Sequence, residues 1–184
     1  PGCVKRNFMR TATKSFPRGA RLGSDRLVLV VPAASPYKTP NDVLAASKAK
    51  SGGLSSASPG NGTSPHIATE VYNREAGVKL NHAPYKGGAP ATQALLAGDT
   101  QFMFDNLANA MPQVKGGKLK ALAVTTAERS KLAPDLPTMA EAGLAGFDIS
   151  TWFGLFAPAG TPKDVIAKWN AEVVRILNSP EMRE

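Results

Sequence analysis

The sequence predicts an α/β fold: a mostly parallel sheet covered by helices on both faces. Two observations carry this reading. From Leu27 onward, short strand-like runs alternate with helical patterns across short connections. The clearest runs, at 27–31 and 119–125, are almost continuously apolar, as strands buried on both faces are.

The elements follow in order. Pro32 ends the first strand, and Thr39-Pro40-Asn41-Asp42 has the grammar of a helix start, with Thr39 as cap, Pro40 at the first helical position and Asp42 reaching back. That helix should run to about Lys50 and stop at Gly52-Gly53. A strand at 54–57 leads into a glycine-rich segment at 58–64. A helix at 65–76 presents Ile67, Ala68, Val71 and Tyr72 on one face, with Gly77 just past its end. A strand at 79–84, the turn Tyr85-Lys86-Gly87-Gly88 and a helix at 90–97 come next. A strand at 101–104 ends in Asp105-Asn106, and a helix at 107–115 should kink or break at Pro112. After the strand at 119–125, Thr138-Met139-Ala140-Glu141 opens a short helix and residues 147–156 are extended. Thr161-Pro162-Lys163-Asp164 repeats the cap grammar of residues 39–42. It opens a long helix expected to turn Val165, Ile166, Trp169, Val173, Ile176 and Leu177 inward.

Composition removes several function classes. With 42% apolar and 20% charged residues, the 184-residue chain can bury a core. Its apolar run at 27–34 is far short of the roughly 20 residues of a membrane-spanning helix. One Cys closes no internal disulfide, and with only two His no zinc cage or other cofactor is expected. Residues 1–26 hold seven basic groups and one acid, so +6 of the +8 net charge sits there and the body is nearly neutral. Only Phe8 and Phe16 provide stacking partners in that stretch, which argues against nucleic-acid binding. The start at Pro1, without a signal-peptide core, and the end at Glu184 within a helical pattern read as a piece of a longer protein.

In such sheets a ligand sits at the carboxyl ends of the strands. Three segments there are polar and flexible. In the first, Gly60 and Gly62 permit close backbone approach beside Asn61, while Thr63 and Ser64 place hydroxyls at a helix start that favours an anion. It lacks the Lys of a phosphate-binding loop and the dinucleotide glycine spacing. The second holds Tyr85, Lys86, Gly87 and Gly88; the third is Asp105-Asn106, which reads equally as a helix cap. His66 reads as a packing or capping residue, His82 as a strand residue open to solvent. No nucleophile elbow, zinc-protease motif or cysteine with a base is present.

The segments Ala57-Ser58-Pro59-Gly60-Asn61-Gly62-Thr63-Ser64-Pro65-His66, Pro84-Tyr85-Lys86-Gly87-Gly88-Ala89-Pro90 and Met103-Phe104-Asp105-Asn106 resemble the substrate-binding proteins of tripartite tricarboxylate transporters, the Bug-type extracytoplasmic solute receptors. So do Leu136-Pro137-Thr138 with Glu141-Ala142-Gly143-Leu144, and Trp152-Phe153-Gly154-Leu155-Phe156-Ala157-Pro158-Ala159-Gly160-Thr161-Pro162. The resemblance implies a type II periplasmic-binding-protein fold, with one complete lobe at 33–149. Residues 27–32 and 150–184 would be crossing strands and a remnant of the other lobe; residues 1–26 would be an unmatched basic leader, a candidate for disorder. It further implies a periplasmic, non-enzymatic receptor, expected to be a monomer. That receptor would capture a small carboxylate (dicarboxylate, tricarboxylate, amino acid or aromatic acid) in an interlobe cleft and pass it to a membrane permease. The three segments would line the cleft, with Trp152 and Phe153 near its hinge. The family's first strand and first glycine-rich loop have no counterpart, so this chain by itself is expected to bind weakly or not at all. Two other readings stand beside this one: an effector-binding domain of a transcription regulator, and an α/β hydrolase-type enzyme.

Overall fold

The computed structural model describes residues 18–49, 53–179 and 182. Two compact units divide the chain. One is Asp25–Thr151; the other combines the residues before Asp25 with those from Trp152 onward.

Strand β1 spans Arg18–Pro32, nine residues ahead of the predicted start. It therefore takes in residues 18–26 of the expected leader, whose remaining residues, 1–17, lie outside those described. Helix α1 (Pro40–Ala49) follows, then β2 (Ser55–Ser58), α2 (Ser64–Ala76) and β3 (Asn81–Pro84). Next are α3 (Gly88–Ala97), β4 (Phe102–Asn106), α4 (Leu107–Lys115) and β5 (Leu119–Val124). The second unit contains most of β6 (Ser150–Phe156) and α5 (Lys163–Leu177).

The strands order as β3-β2-β4-β1-β5, and β6 pairs with β1 off this path. β2 runs parallel to β3 and to β4, whereas β1 is antiparallel to β4 and β5. Residues 27–31 are all fully buried because both faces of β1 are covered. Leu27, Leu29 and Val31 pack with Val43 of α1, Tyr72 of α2, and Phe102 and Phe104. Val28 and Val30 point the other way, onto Leu95 of α3 and Leu107 of α4. The continuous apolar run is thus the signature of a central strand, as its sequence indicates.

Local signals were realised unevenly. At α1 the Asp42 carboxylate accepts the Thr39 N–H at 2.8 Å, and the Asp42 N–H donates to the Thr39 hydroxyl at 3.2 Å. Thr138 and Glu141 form the same reciprocal pair, but it closes a turn rather than a helix. The Thr161 hydroxyl instead donates back to the Pro158 carbonyl at 2.8 Å, and Pro162 is the cap position of α5. Helix α4 runs through Pro112 without a break. The carbonyl that this proline leaves without a donor belongs to Ala108, which is exposed and can turn to water.

The apolar stripe of α5 is a second departure. None of its residues is buried, and Val165, Trp169 and Ile176 are exposed. The stripe has the predicted period, but its other members, Ile166, Val173 and Leu177, are only half-buried.

Because the α1 cap is built from a hydroxyl and a carboxylate, Thr39→Ala should lower stability by about 1 kcal/mol in urea unfolding. Thr161→Ala, which removes no helix cap, should cost less.

Candidate functional site

Parallel alignment brings the carboxyl ends of β2, β3 and β4 to one edge of the sheet. Each strand there enters a helix almost at once: α2 at Ser64, α3 at Gly88 and α4 at Leu107. The first two connections are tied together. The Tyr85 N–H donates to the Ser58 carbonyl at 2.9 Å, and the Gly87 N–H to the Pro59 carbonyl at 3.0 Å. Gly60 lies between them with φ +146°, and a Cβ there would stand 3.4 Å from the Tyr85 carbonyl oxygen. Only glycine adopts that backbone without strain at such a close approach.

A donor-by-donor account of the glycine loop separates amides that hold its shape from amides left for a ligand. Gly60 N–H donates to the Ser58 hydroxyl at 3.2 Å. Gly62 N–H donates to His66 Nδ1 at 2.9 Å. Thr63 donates to the Gly60 carbonyl through its hydroxyl at 2.7 Å and through its N–H at 3.4 Å. The first helical bond of α2 is Ile67 N–H to the Thr63 carbonyl, and Pro65 has no N–H. The amides of Ser64 and His66 therefore have no acceptor within the helix and carry the positive end of its dipole. In α3 the first such bond is Ala91 N–H to the Gly87 carbonyl, and Pro90 has no N–H. Gly88 and Ala89 are placed likewise. The Ser64 hydroxyl lies 2.9 Å from that of Thr151.

Beneath the loop two imidazoles lie face to face. The rings of His66 and His82 stack with centroids 3.9 Å apart and planes 10° from parallel. His82 Nε2 is 2.6 Å from the Ser58 hydroxyl, and His66 Nε2 is 3.8 Å from Glu70 Oε1. His82 is half-buried rather than open. Burial first, and then the neighbouring His66, push its imidazolium below the ordinary histidine range, with Glu70 opposing. Ser58 and His82 have the spacing of a nucleophile and its base, but Ser58 is fully buried and its oxygen already accepts from Gly60. The pair supports the loop.

Asp105 is only 4% exposed. Burial raises its carboxyl to about 6, against the opposing influence of hydrogen bonds from the Asn106 N–H and the Asn109 side chain. The helix-cap expectation fails here: Asn106 is the cap position of α4 with no side-chain cap bond, and the Asp105 carboxylate accepts the Asn106 N–H rather than an amide of the first helical turn. Asn106 Oδ1 is buried without a partner.

The edge accordingly gathers Gly60, Asn61, Gly62, Thr63, Ser64, Tyr85, Lys86, Gly87, Gly88, Asp105 and Asn106; Asn61 and Lys86 are exposed. Trp152 and Phe153 stand exposed on β6, where the Trp152 and Phe156 rings are 5.9 Å apart. Ser58 and the histidine pairing were not anticipated. The one available signal is that His82 pairs with Ser56 in the parallel register, which puts Ser58 on the same face.

The chain matches the tripartite tricarboxylate transporter family receptor over residues 11–184 and belongs to that family. A UPF0065 protein from the tcbD-tcbE intergenic region of Pseudomonas sp. (strain P51) is 40% identical over 158 residues, covering 85% of this chain and 47% of the relative. Among solved structures, MatC (Rpa3494) from Rhodopseudomonas palustris with bound malate has a TM-score of 0.86 at 35% identity, covering 91% of this chain and 57% of that one. The periplasmic binding protein BugD has a TM-score of 0.86 at 32% identity, with 92% and 57% covered. The fold is that of these binding proteins, and the chain spans about half the length of the curated relative above.

The ionised Asp105 is disfavoured by its burial, so its folded value lies above its unfolded value of 3.8. The resulting penalty is complete above pH 6 and fades as the pH falls from 6 towards 3.8. Asp105→Asn, which keeps an acceptor for the Asn106 N–H, should therefore stabilise the fold at pH 8 by up to about 3 kcal/mol. Urea unfolding across pH should show that advantage shrinking towards pH 4.

Proposed function

We propose that this chain is the solute-binding part of a tripartite tricarboxylate-type uptake system. The glycine loop and its neighbours would form one wall of a site for a small carboxylate. The carrying observation is the pair of helix starts at Ser64 and Gly88, locked together through the Tyr85 and Gly87 amides, with N–H groups left over at the strand ends. Such groups stabilise an anion by charge-assisted hydrogen bonding and by the helix dipole. The serine of the Ser58–His82 pair is buried and already accepts the Gly60 N–H, which suits a structural rather than a bond-breaking role. The ligand is thus held and released unaltered.

Malate in the related MatC structure supports the carboxylate class. The partnerless Asn106 Oδ1 adds an acceptor that suits a ligand hydroxyl, an amine or a bridging water. We assign ligand contact to residues 60–64, 85–88 and 105–106, within a lobe at 33–149. Trp152 and Phe153 would stand near the hinge, a reading that the family resemblance supports. By the same kinship the receptor is periplasmic, as BugD is, and delivers to a membrane permease.

Titration of malate into the ¹⁵N-labelled chain tests this reading, because NMR detects millimolar binding. Saturable shifts should concentrate at the amides of residues 61–64, 66 and 86–89. The corresponding diol, lacking carboxylates, should leave them in place. Equal shifts with the diol, or no shifts with malate, would overturn it.

A further inference from the structure

The amide of Gly62 points at a histidine rather than towards the ligand side, and that histidine is stacked on a second one that holds Ser58. We infer that the His66–His82 pair is a positioning device, which fixes the ligand loop while His66 is neutral and frees it on protonation. This rests on the receptor reading and adds to it the residues that shape the site and the variable that controls them.

Nδ1 of His66 accepts the Gly62 N–H at 2.9 Å, so this nitrogen carries no proton. Its proton is on Nε2, on the side of Glu70, 3.8 Å away. Protonation at Nδ1 would set N–H against N–H, and Gly62 would lose its acceptor. The neighbouring contacts set the register of that loss. His82 fixes the Ser58 hydroxyl, which accepts from Gly60, and Thr63 is tied to the Gly60 carbonyl. Both ends of the loop therefore depend on the stack. A charge on His66 disfavours a charge on the His82 ring 3.9 Å away, which together with burial lowers His82. Glu70 on α2 is the charged group facing the pair; the β2 neighbour, Ser58, is neutral, and the loop residues 59–64 carry no charged side chain. Neither histidine touches the ligand in this scheme. They act through the loop.

The test uses the labelled chain with His66→Asn, which offers a neutral acceptor where Nδ1 stands, and His66→Ala, which offers none. His82→Gln, which keeps a polar group facing Ser58, is the partner control. The His66 imidazole nitrogens and the Gly62 amide are followed together from pH 8 to pH 5. In the wild type the Gly62 resonance should move as His66 gains its proton, and its protection factor, exchange corrected for the intrinsic pH dependence, should fall by about fivefold or more, the loss of one hydrogen bond. In His66→Asn, Gly62 should hold its position throughout; in His66→Ala it should be displaced at every pH. Malate affinity at pH 8 should fall by about fivefold in His66→Ala and recover in His66→Asn. A Gly62 amide that ignores the titration of His66, or that behaves alike in both His66 variants, overturns the inference whether or not malate binds. Intact coupling in a wild type that binds no malate supports the inference and counts against the receptor reading alone.

Discussion

Burial of both faces of β1 is the constraint on which the rest of the Asp25–Thr151 unit depends. Leu27, Leu29 and Val31 require one helical layer, Val28 and Val30 require another, and the sheet must lie between them. With helices above and below, β2, β3 and β4 return in parallel and their connections emerge on a common edge. That common edge is a consequence of the packing. No single loop creates it.

Within the edge, rigidity comes from polar groups that are consumed rather than offered. The Tyr85 and Gly87 amides lock the second loop to the first, and Ser58, His66 and His82 fix the first from below. A receptor that holds an anion by backbone amides needs those amides preorganised, since ordering them on binding would cost affinity. The serine–histidine contact therefore has a structural task, and its burial separates it from the hydrolase geometry it resembles by distance.

Asp105 shows how the same fold constrains charge. An acid at the end of β4 is covered by its surroundings and answered by the Asn106 amide and the Asn109 side chain. Its carboxyl is raised accordingly, and the neighbouring Asn106 keeps a buried side-chain oxygen without a partner.

The sequence by itself determined the α/β class, most element positions and the three polar segments, because those depend on local periodicity, caps and glycine spacing. Thr39 with Asp42 behaved as read, since a capping box involves only residues three apart. Thr161 carried the same grammar and went elsewhere, because its hydroxyl found the Pro158 carbonyl. Tertiary structure alone decided the rest. The stacking of His66 on His82 joins residues 16 apart through a helix and a strand that meet only in the fold. Burial of Asp105 and of Ser58 likewise follows from which layer covers which face, a sum over distant side chains that no local pattern encodes.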